Sequence, residues 1–273
     1  MRVGEIIDAG LTVYRRHFGL LLQVGLVALW LPVALSVYVQ VGGGQVAHPV
    51  LYVCANVFQY FGSLVLTASA VRIISDSYLG RAPQLRDALT LAMSKIWPLF
   101  LVGFGYGLIV GLCAAAVGIV AALFVPVLAK GGGGVVAGLF GAALLAGAVW
   151  FVAFVACGYG LTTQVVVLED LGSSFDAFGR SWALTRGFKR KVFFIAVAAA
   201  VIFWIPAAVL GALGGALTSS APVAGRVFEI AASVLPIVMT PLLACVFTLT
   251  YYDLRVRREA FDLEVLGRQL GVG

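Results

Sequence analysis

The side chains that could carry chemistry in this 273-residue chain are few, and their spacing matches no catalytic or metal-binding pattern. The two histidines, His17 and His48, flank the first long apolar segment, and the four cysteines fall singly inside apolar runs. The sequence contains no H-E-x-x-H, G-x-S-x-G or phosphate-loop motif. It therefore predicts no catalytic, metal or cofactor site, and we expect a protein that is not an enzyme on its own.

Three Asp-Ala pairs recur in amphipathic stretches, each of which leads through basic residues into an apolar segment. Their acids are Asp8, Asp87 and Asp176. One interpretation is that each carboxylate caps a helix and complements the positive end of its dipole. The other is that the three acids and nearby bases form a ring of ion pairs that binds a partner. A less favoured hypothesis is a lipid-modifying enzyme whose interfacial acids hold a divalent ion, namely Asp76, Asp87, Asp170 and Asp176.

Basic side chains gather at two points next to apolar segments. The first cluster is Arg186, Lys189, Arg190 and Lys191, and the second is Arg255, Arg257 and Arg258. Each Lys or Arg near a bilayer contributes about 1 kcal/mol toward binding anionic lipid. The two clusters are therefore the candidate contacts for anionic lipid headgroups or for a protein partner. The alternative is that these bases only set the orientation of the chain in the membrane.

Two of the apolar segments carry residues at helical spacing that suggest contacts within the membrane. On the second segment a polar line follows one helical face, at Asn56, Gln59, Ser63 and Thr67. It predicts either hydrogen bonds between helices or the wall of a cavity for a lipid headgroup or a solute. On the third segment small residues recur every four positions, at Gly103, Gly107, Gly111 and Ala115. That stripe predicts close packing inside a helix bundle, with oligomerisation as the alternative.

The elements that must position these residues are membrane-spanning helices. Of the residues, 62% are hydrophobic and only 11% are charged, whereas ordinary globular domains carry roughly 25% charged residues. A bilayer core requires about 20 apolar residues per helix. Six segments qualify: Phe18–Val41, Val50–Ile74, Ile96–Leu128, Val135–Leu168, Val192–Leu217 and Val227–Tyr252. The sequence therefore predicts an all-α, polytopic protein with six transmembrane helices in a single membrane domain.

The uneven distribution of basic residues predicts the orientation of the chain. Of the 18 Lys and Arg residues, only Lys130 and Arg226 lie on the side opposite to the others. Connections rich in Lys and Arg stay in the cytoplasm, so we expect both termini to be cytoplasmic. The net charge of +6 indicates anionic lipid rather than nucleic acid as the partner, because the bases form short clusters between apolar runs.

The chain divides into three similar units, each with a cytoplasmic interfacial amphipathic helix followed by a transmembrane hairpin. The units cover residues 1–76, 77–170 and 171–253, and they are parallel because all enter from one side. In the third unit the apolar stripe of the interfacial helix is Phe175, Phe178 and Trp182. The second span of each unit ends at acids, which are Asp76, Glu169 with Asp170, and Asp253.

The chain ends in a charged juxtamembrane tail, residues 254–273, that follows Tyr251 and Tyr252. We expect these two tyrosines at the depth of the lipid headgroups. The opposite charges of Arg255 and Glu259, spaced i,i+4, favour a helical tail. Its apolar residues fall on opposite sides, Val256, Ala260, Leu263 and Leu270 on one and Leu254, Phe261 and Val265 on the other. Two apolar faces predict a tail that lies between the bundle and a partner.

Three motifs carry a resemblance to a known family: "EIIDAGLTVYRRHF" at the start, "LED" with "SWALTRG" in the middle, and "YYDLRVRREAFDLE" near the end. Along essentially its whole length the chain resembles a large group of uncharacterised bacterial membrane proteins. These are related to the membrane domain attached to some glycerophosphoryl diester phosphodiesterases. The resemblance implies a six-helix integral membrane fold in a bacterial inner membrane. It does not imply phosphodiesterase activity, which belongs to a separate soluble barrel domain.

From these observations we expect a membrane scaffold or accessory protein that binds anionic lipid or a partner through its basic cytoplasmic face. One alternative is a permease that moves a lipid-like or small solute past the polar line of the second span. The lipid-modifying enzyme is the less favoured alternative.

Overall fold

The computed structural model describes residues 2–42, 47–130, 134–217 and 220–259. Within these ranges the regular structure is entirely helical. The helices in chain order are α1 (Val3–Arg16), α2 (Phe18–Val41), α3 (Pro49–Tyr78), α4 (Leu85–Ser94), α5 (Ile96–Lys130), α6 (Gly134–Tyr159), α7 (Thr162–Leu168), α8 (Asp176–Thr185), α9 (Lys189–Leu217) and α10 (Pro222–Glu259). The prediction of an all-helical chain is confirmed for this part of the sequence.

Six stretches are long and apolar enough to cross a membrane, as the sequence predicts. They are Phe18–Val41, Pro49–Tyr78, Ile96–Leu123, Gly138–Leu168, Lys189–Leu217 and Pro222–Glu259. The fourth stretch is formed by α6 and α7 together, which are separated by a turn at Gly160 and Leu161. The last helix continues beyond the predicted end of its span at Tyr252, because Arg255 and Glu259 form an i,i+4 ion pair that favours further helical turns.

Separate shorter helices precede the first, third and fifth spans, and each buries one side against the bundle. In α1 the buried residues are Ile6, Gly10 and Tyr14, and in α4 they are Ala88 and Ala92. In α8 they are Ala177, Ser181, Leu184 and Thr185. Of the stripe predicted for α8, Phe178 packs against the core and Trp182 is half-buried, while Phe175, just before the helix, is 57% exposed. After α8, Gly187 has φ +87° and turns the chain into α9.

The last helix, α10, is the centre of the packing, with contacts to α1, α2, α3, α8 and α9. The core is most closely packed where α3 and α10 end, and it includes Ile73, Ile74, Tyr251 and Leu254. In α5, by contrast, the buried residues Leu99 and Val102 lie near the start of the helix, and its most apolar 18-residue stretch buries no residue inside the protein. The bundle is thus packed tightly at one end, while the hairpin of α5 and α6 turns most of its surface outward.

Close helix approach occurs at Gly62, outside the small-residue stripe, and at Gly103, the first residue of the stripe, where a placed Cβ atom would lie 2.7 Å from the Tyr60 hydroxyl. A Cβ atom placed on Gly62 of α3 would lie 2.6 Å from the carbonyl oxygen of Ala28 in α2. Apart from the adjoining turns of the same helix, no described atom lies within 4 Å of a Cβ placed on Gly107 or Gly111. The predicted packing role of these two glycines inside the bundle is therefore wrong, because their helix face points away from the other helices.

Candidate functional site

Ionic side chains join the helices at the end of the bundle where α3 and α10 finish; we call this the charged end, and it carries Asp76, Glu169, Arg180, Asp253 and Glu259. Arg180 of α8 donates to Glu169 at 2.8 Å and to Glu259 of α10 at 2.8 Å. The hydrogen bond with Glu259 raises the pKa of Arg180, with a further contribution from Glu169, while burial acts in the opposite direction. The guanidinium therefore stays charged and ties α8 to α10 and to the end of α7.

The carboxylate of Glu169 is held from a second side by α10. The Tyr251 hydroxyl donates to its other oxygen at 2.7 Å, and Arg255 donates to that hydroxyl at 3.2 Å. Arg255 also donates to Glu259 at 3.1 Å. Tyr251 is fully buried inside the bundle, and its depth in the membrane stays a prediction. The hydrogen bond to Glu169 holds the Tyr251 hydroxyl in place.

A second ionic contact joins α9 to α10. The Lys191 ammonium lies 2.5 Å from Asp253, and Arg257 donates to the same carboxylate oxygen at 3.0 Å. The Asp253 side chain is only 5% exposed. A carboxylate buried to this degree requires charged or hydrogen-bonding partners, so Lys191 and Arg257 serve the fold.

The end of α3 carries a third group of polar contacts. The Ser75 and Tyr252 hydroxyls lie 2.6 Å apart, and the Tyr252 ring stacks on Tyr78 with centroids 4.5 Å apart. Tyr252, like its neighbour in the chain, is buried inside the protein. At the junction of α1 and α2, His17 Nε2 lies 2.8 Å from the Ser77 hydroxyl. Burial lowers the pKa of His17, and the charge of Arg16 lowers it further.

The candidate lipid or partner contacts divide into two groups in the structure. Those with partners on the protein are Lys191, Arg255, Arg257 and Arg258; the last donates to the carbonyl of Arg186. The side chains of Arg186 and Arg190 are exposed and make no hydrogen bond or ion pair with the described residues. Lys189 belongs to neither group, because its side chain is half-buried against aromatic rings. Three of the seven predicted bases are therefore paired with acids within the fold, and a fourth, Arg258, is bound to a backbone carbonyl.

Lys189 is held at a fixed place by two rings. Its ammonium lies 3.1 Å from the ring centroid of Trp182 and 3.5 Å from that of Phe154. Trp182 can approach α6 because Gly158 has no side chain: a Cβ there would lie 2.3 Å from the indole. The Ser181 hydroxyl donates to the Gly158 carbonyl at 2.9 Å and fixes the same contact. The sequence does not predict that Lys189 lies between two rings. The only signal for this arrangement is a glycine, Gly158, among apolar residues.

An apolar groove of about 700 Å³ runs along α6 and the first turns of α9. Its walls include Leu145, Ala146, Val149, Trp150, Ala153, Phe154, Cys157, Phe193 and Phe194. Lys189 and Arg190 line the end of the groove nearest the start of α9. Along α6 the groove extends from Leu145 to Cys157, which is about 18 Å at the helical rise. That length is close to the thickness of one leaflet, about 15 Å.

The three repeat acids stay apart and exposed. Asp87 and Asp176 lie in the first turns of α4 and α8, and Asp176 accepts a hydrogen bond from the Ser173 backbone at 3.0 Å. Asp8 lies further along α1, where Glu5 occupies the first turn instead. No ion pair of these three acids is found among the described residues. The ion pairs of the charged end are formed by the acids that end the spans.

The polar line of α3 lies toward the outside of the bundle. Asn56 is exposed and donates to the Tyr52 carbonyl at 2.7 Å, and Ser63 and Thr67 also donate to carbonyls of their own helix. Gln59 is half-buried. Asn56 lines a shallow groove of about 470 Å³ together with Tyr52, Val53, Val57, Tyr60, Phe61 and Phe100.

Within the described ranges, no three His, Cys, Asp or Glu side chains gather as a metal site would require. The acids of the divalent-ion hypothesis, Asp76, Asp87, Asp170 and Asp176, are therefore not brought together. The tail faces predicted for Ala260, Phe261, Leu263, Val265 and Leu270 lie outside the described residues. Comparison of the chain with protein-family models, with curated proteins and with solved structures finds no match.

Proposed function

We propose that this protein is an integral membrane scaffold or accessory protein that holds an anionic phospholipid in the groove along α6 and α9. The observation that supports this proposal is the position of Lys189 and Arg190 at one end of a groove whose other walls are apolar. An acyl chain matches the apolar walls, and a phosphate matches the two bases.

The charges at the groove end favour an anionic headgroup over a zwitterionic one. Arg190 is exposed and has no side-chain partner in the described part of the chain, so its guanidinium is available to a phosphate. The first turn of α9 adds the positive end of a helix dipole at the same place. The rings of Phe154 and Trp182 keep the Lys189 ammonium beside the groove, which reduces the entropy lost on binding.

The proposal includes an arrangement in the membrane. The charged end faces the cytoplasm, with both termini on that side, and α1, α4 and α8 lie at the interface as the first helices of three parallel units. The location is the inner membrane of a bacterium. In this arrangement Lys189 and Arg190 stand at headgroup depth, and the groove lies in the cytoplasmic leaflet.

The proposal assigns lipid binding to Lys189 and Arg190 rather than to Arg255, Arg257 and Arg258. These three arginines hold the charged end together, so their replacement would disturb the fold before it disturbed a partner. We also infer that the chain is not an enzyme on its own, and that the ionic network gives it a rigid surface for a protein partner. A permease remains the alternative function.

Native mass spectrometry of the protein released from mixed lipid tests the lipid proposal. We expect wild-type protein to retain phosphatidylglycerol in preference to phosphatidylcholine of the same chain length. Because each base contributes about 1 kcal/mol, a Lys189→Gln, Arg190→Gln variant should lose about 30-fold of that preference.

Arg15→Gln, Arg16→Gln is the matched control, because it removes two exposed bases from α1 that do not line the groove. It should leave the lipid preference unchanged. Equal retention of both lipids by the wild type, or equal loss in the two double variants, would contradict the proposal.

A further inference from the structure

A second, polar pocket of about 390 Å³ lies at the charged end, apart from the lipid groove. It is bounded by the end of α3 and the turn that follows, by the end of α7, and by α10. Its lining residues are Arg72, Ser75, Leu79, Arg81, Val167, Leu168, Glu169, Asp170, Tyr252 and Arg255. None of these lines the groove along α6 and α9. A cavity of this size is within the range of small-molecule sites.

The turn after α3 brings a guanidinium to the pocket. Gly80 has φ +73°, a left-handed conformation that glycine adopts without strain. The Arg81 backbone N–H then donates to the Asp76 carbonyl at 2.8 Å and closes the helix end. The Arg81 side chain is exposed at the rim of the pocket and makes no hydrogen bond or ion pair with the described residues.

The cations of the pocket exceed the acids that are open to a ligand. Both oxygens of Glu169 already accept hydrogen bonds, one from Arg180 and one from Tyr251. The Asp170 carboxylate is fully exposed, 3.7 Å from Lys95. Neither Arg180 nor Lys95 lines the pocket, so the charges of the two acids are balanced from outside it.

The three guanidinium groups are placed to receive an anion. Arg72 pairs with Asp76 through Nε at 3.0 Å, and its terminal nitrogens make no hydrogen bond to the described residues. Arg255 is held by Tyr251 and Glu259, so its charge is fixed at the wall. Guanidinium groups bind phosphate oxygens through pairs of N–H donors, and they stay charged at any physiological pH.

We propose that this pocket binds a phosphate group through Arg72, Arg81 and Arg255. The group belongs to a small phosphomonoester, either the headgroup of a lipid or a soluble metabolite, because the cavity is larger than inorganic phosphate alone requires. This inference is independent of the proposed function, since it concerns a different set of residues.

Isothermal titration of the full-length protein in a non-ionic detergent tests the inference. The probes are inorganic phosphate, dihexanoyl phosphatidic acid and, as a control without a phosphomonoester, dihexanoyl phosphatidylcholine. We expect the wild type to bind phosphatidic acid at millimolar concentration or below. Binding of inorganic phosphate with comparable affinity assigns the site to soluble phosphates, and binding of phosphatidic acid alone assigns it to a lipid headgroup.

Arg81→Gln should weaken the binding at least about tenfold, as expected for the loss of one charged donor. The matched control is Arg86→Gln, which removes an exposed base from α4 that does not line the pocket and should bind as the wild type does. Lys189→Gln, Arg190→Gln should also bind normally, which separates this inference from the groove. The inference is overturned if the wild type binds neither phosphate nor phosphatidic acid, or if Arg81→Gln binds like the wild type.

Discussion

Replacement of Arg180 by Met should destabilise the protein, because it removes the cation shared by Glu169 and Glu259. The methionine keeps most of the aliphatic packing while the two carboxylates lose a hydrogen-bonded partner. Glu169 would then keep the Tyr251 hydroxyl, and Glu259 would keep Arg255. The expected loss is therefore partial.

The exposure of the side chains determines the magnitude. Arg180 is 29% exposed, Glu169 is 15% exposed and Glu259 is 27% exposed. A fully exposed ion pair contributes about 0.2–1 kcal/mol, whereas breaking a fully buried pair costs about 3–5 kcal/mol. The network lies between these limits, and solvent screening reduces the upper one, so we expect a loss of about 2 kcal/mol in the free energy of unfolding.

Titration of mixed micelles with dodecyl sulfate, followed by tryptophan fluorescence, measures this free energy. Arg86→Met is the control, because Arg86 is exposed and has no side-chain contact in the described ranges. In a double-mutant cycle, Arg180→Met and Glu259→Gln should couple by about 1 kcal/mol. A loss for Arg180→Met no larger than for Arg86→Met, or a coupling energy near zero, would refute the role of this network.

Two further predictions concern packing and pH. Gly62→Ala should lower the free energy of unfolding by about 1–3 kcal/mol, because its methyl group would collide with the Ala28 carbonyl. Gly107→Ala should change this free energy by less than about 0.5 kcal/mol. Equal effects of the two substitutions in the same titration would contradict the packing described for α3 and α5. The lowered pKa of His17 means that the unfolded chain binds a proton more readily, so stability should fall as the pH drops below 6.5 toward the folded pKa. A His17→Gln variant should lack this part of the pH dependence, and an unchanged pH profile would count against it.

The membrane-spanning helices could be predicted from the sequence, because a bilayer permits few alternatives to long apolar helices. The start of α9 is an example, because the helix begins at Lys189, just before the predicted apolar segment that starts at Val192. The breaks between spans and the helices before them also follow from composition. Hydropathy carries this information because it reports transfer into lipid and does not depend on which helices are neighbours.

The contacts between helices could not be predicted in the same way. Gly62 and Gly107 are both glycines in apolar helices, and only the fold shows that one faces α2 and the other faces outward. Tyr251 has the sequence context of an interfacial aromatic residue, and only the fold shows that it is buried and donates its hydroxyl to Glu169. Ala28, which Gly62 approaches, and Glu169, which Tyr251 binds, are distant in the chain, so local spacing does not reveal these contacts.

The candidate site shows the same division. The sequence predicts two groups of bases as candidate contacts, but it does not show which of them have partners on the protein. Lys191 and Arg257 are bound to Asp253, while Arg190 is exposed beside the groove. Once these ion pairs are known, the proposed lipid contacts are reduced from all the predicted bases to Lys189 and Arg190.

The proposed lipid site is tested most directly by photo-crosslinking with a phosphatidylglycerol that carries a diazirine in its acyl chain. In membranes containing this lipid, mass spectrometry should map the label to the groove, between Trp150 and Cys157 and at Phe193 and Phe194. Unlabelled phosphatidylglycerol should compete, phosphatidylcholine should not, and the labelling should fall in the Lys189→Gln, Arg190→Gln variant. Labelling spread evenly over the outer faces of α2 and α5, or unchanged in that variant, would contradict the proposal that the groove holds an anionic lipid.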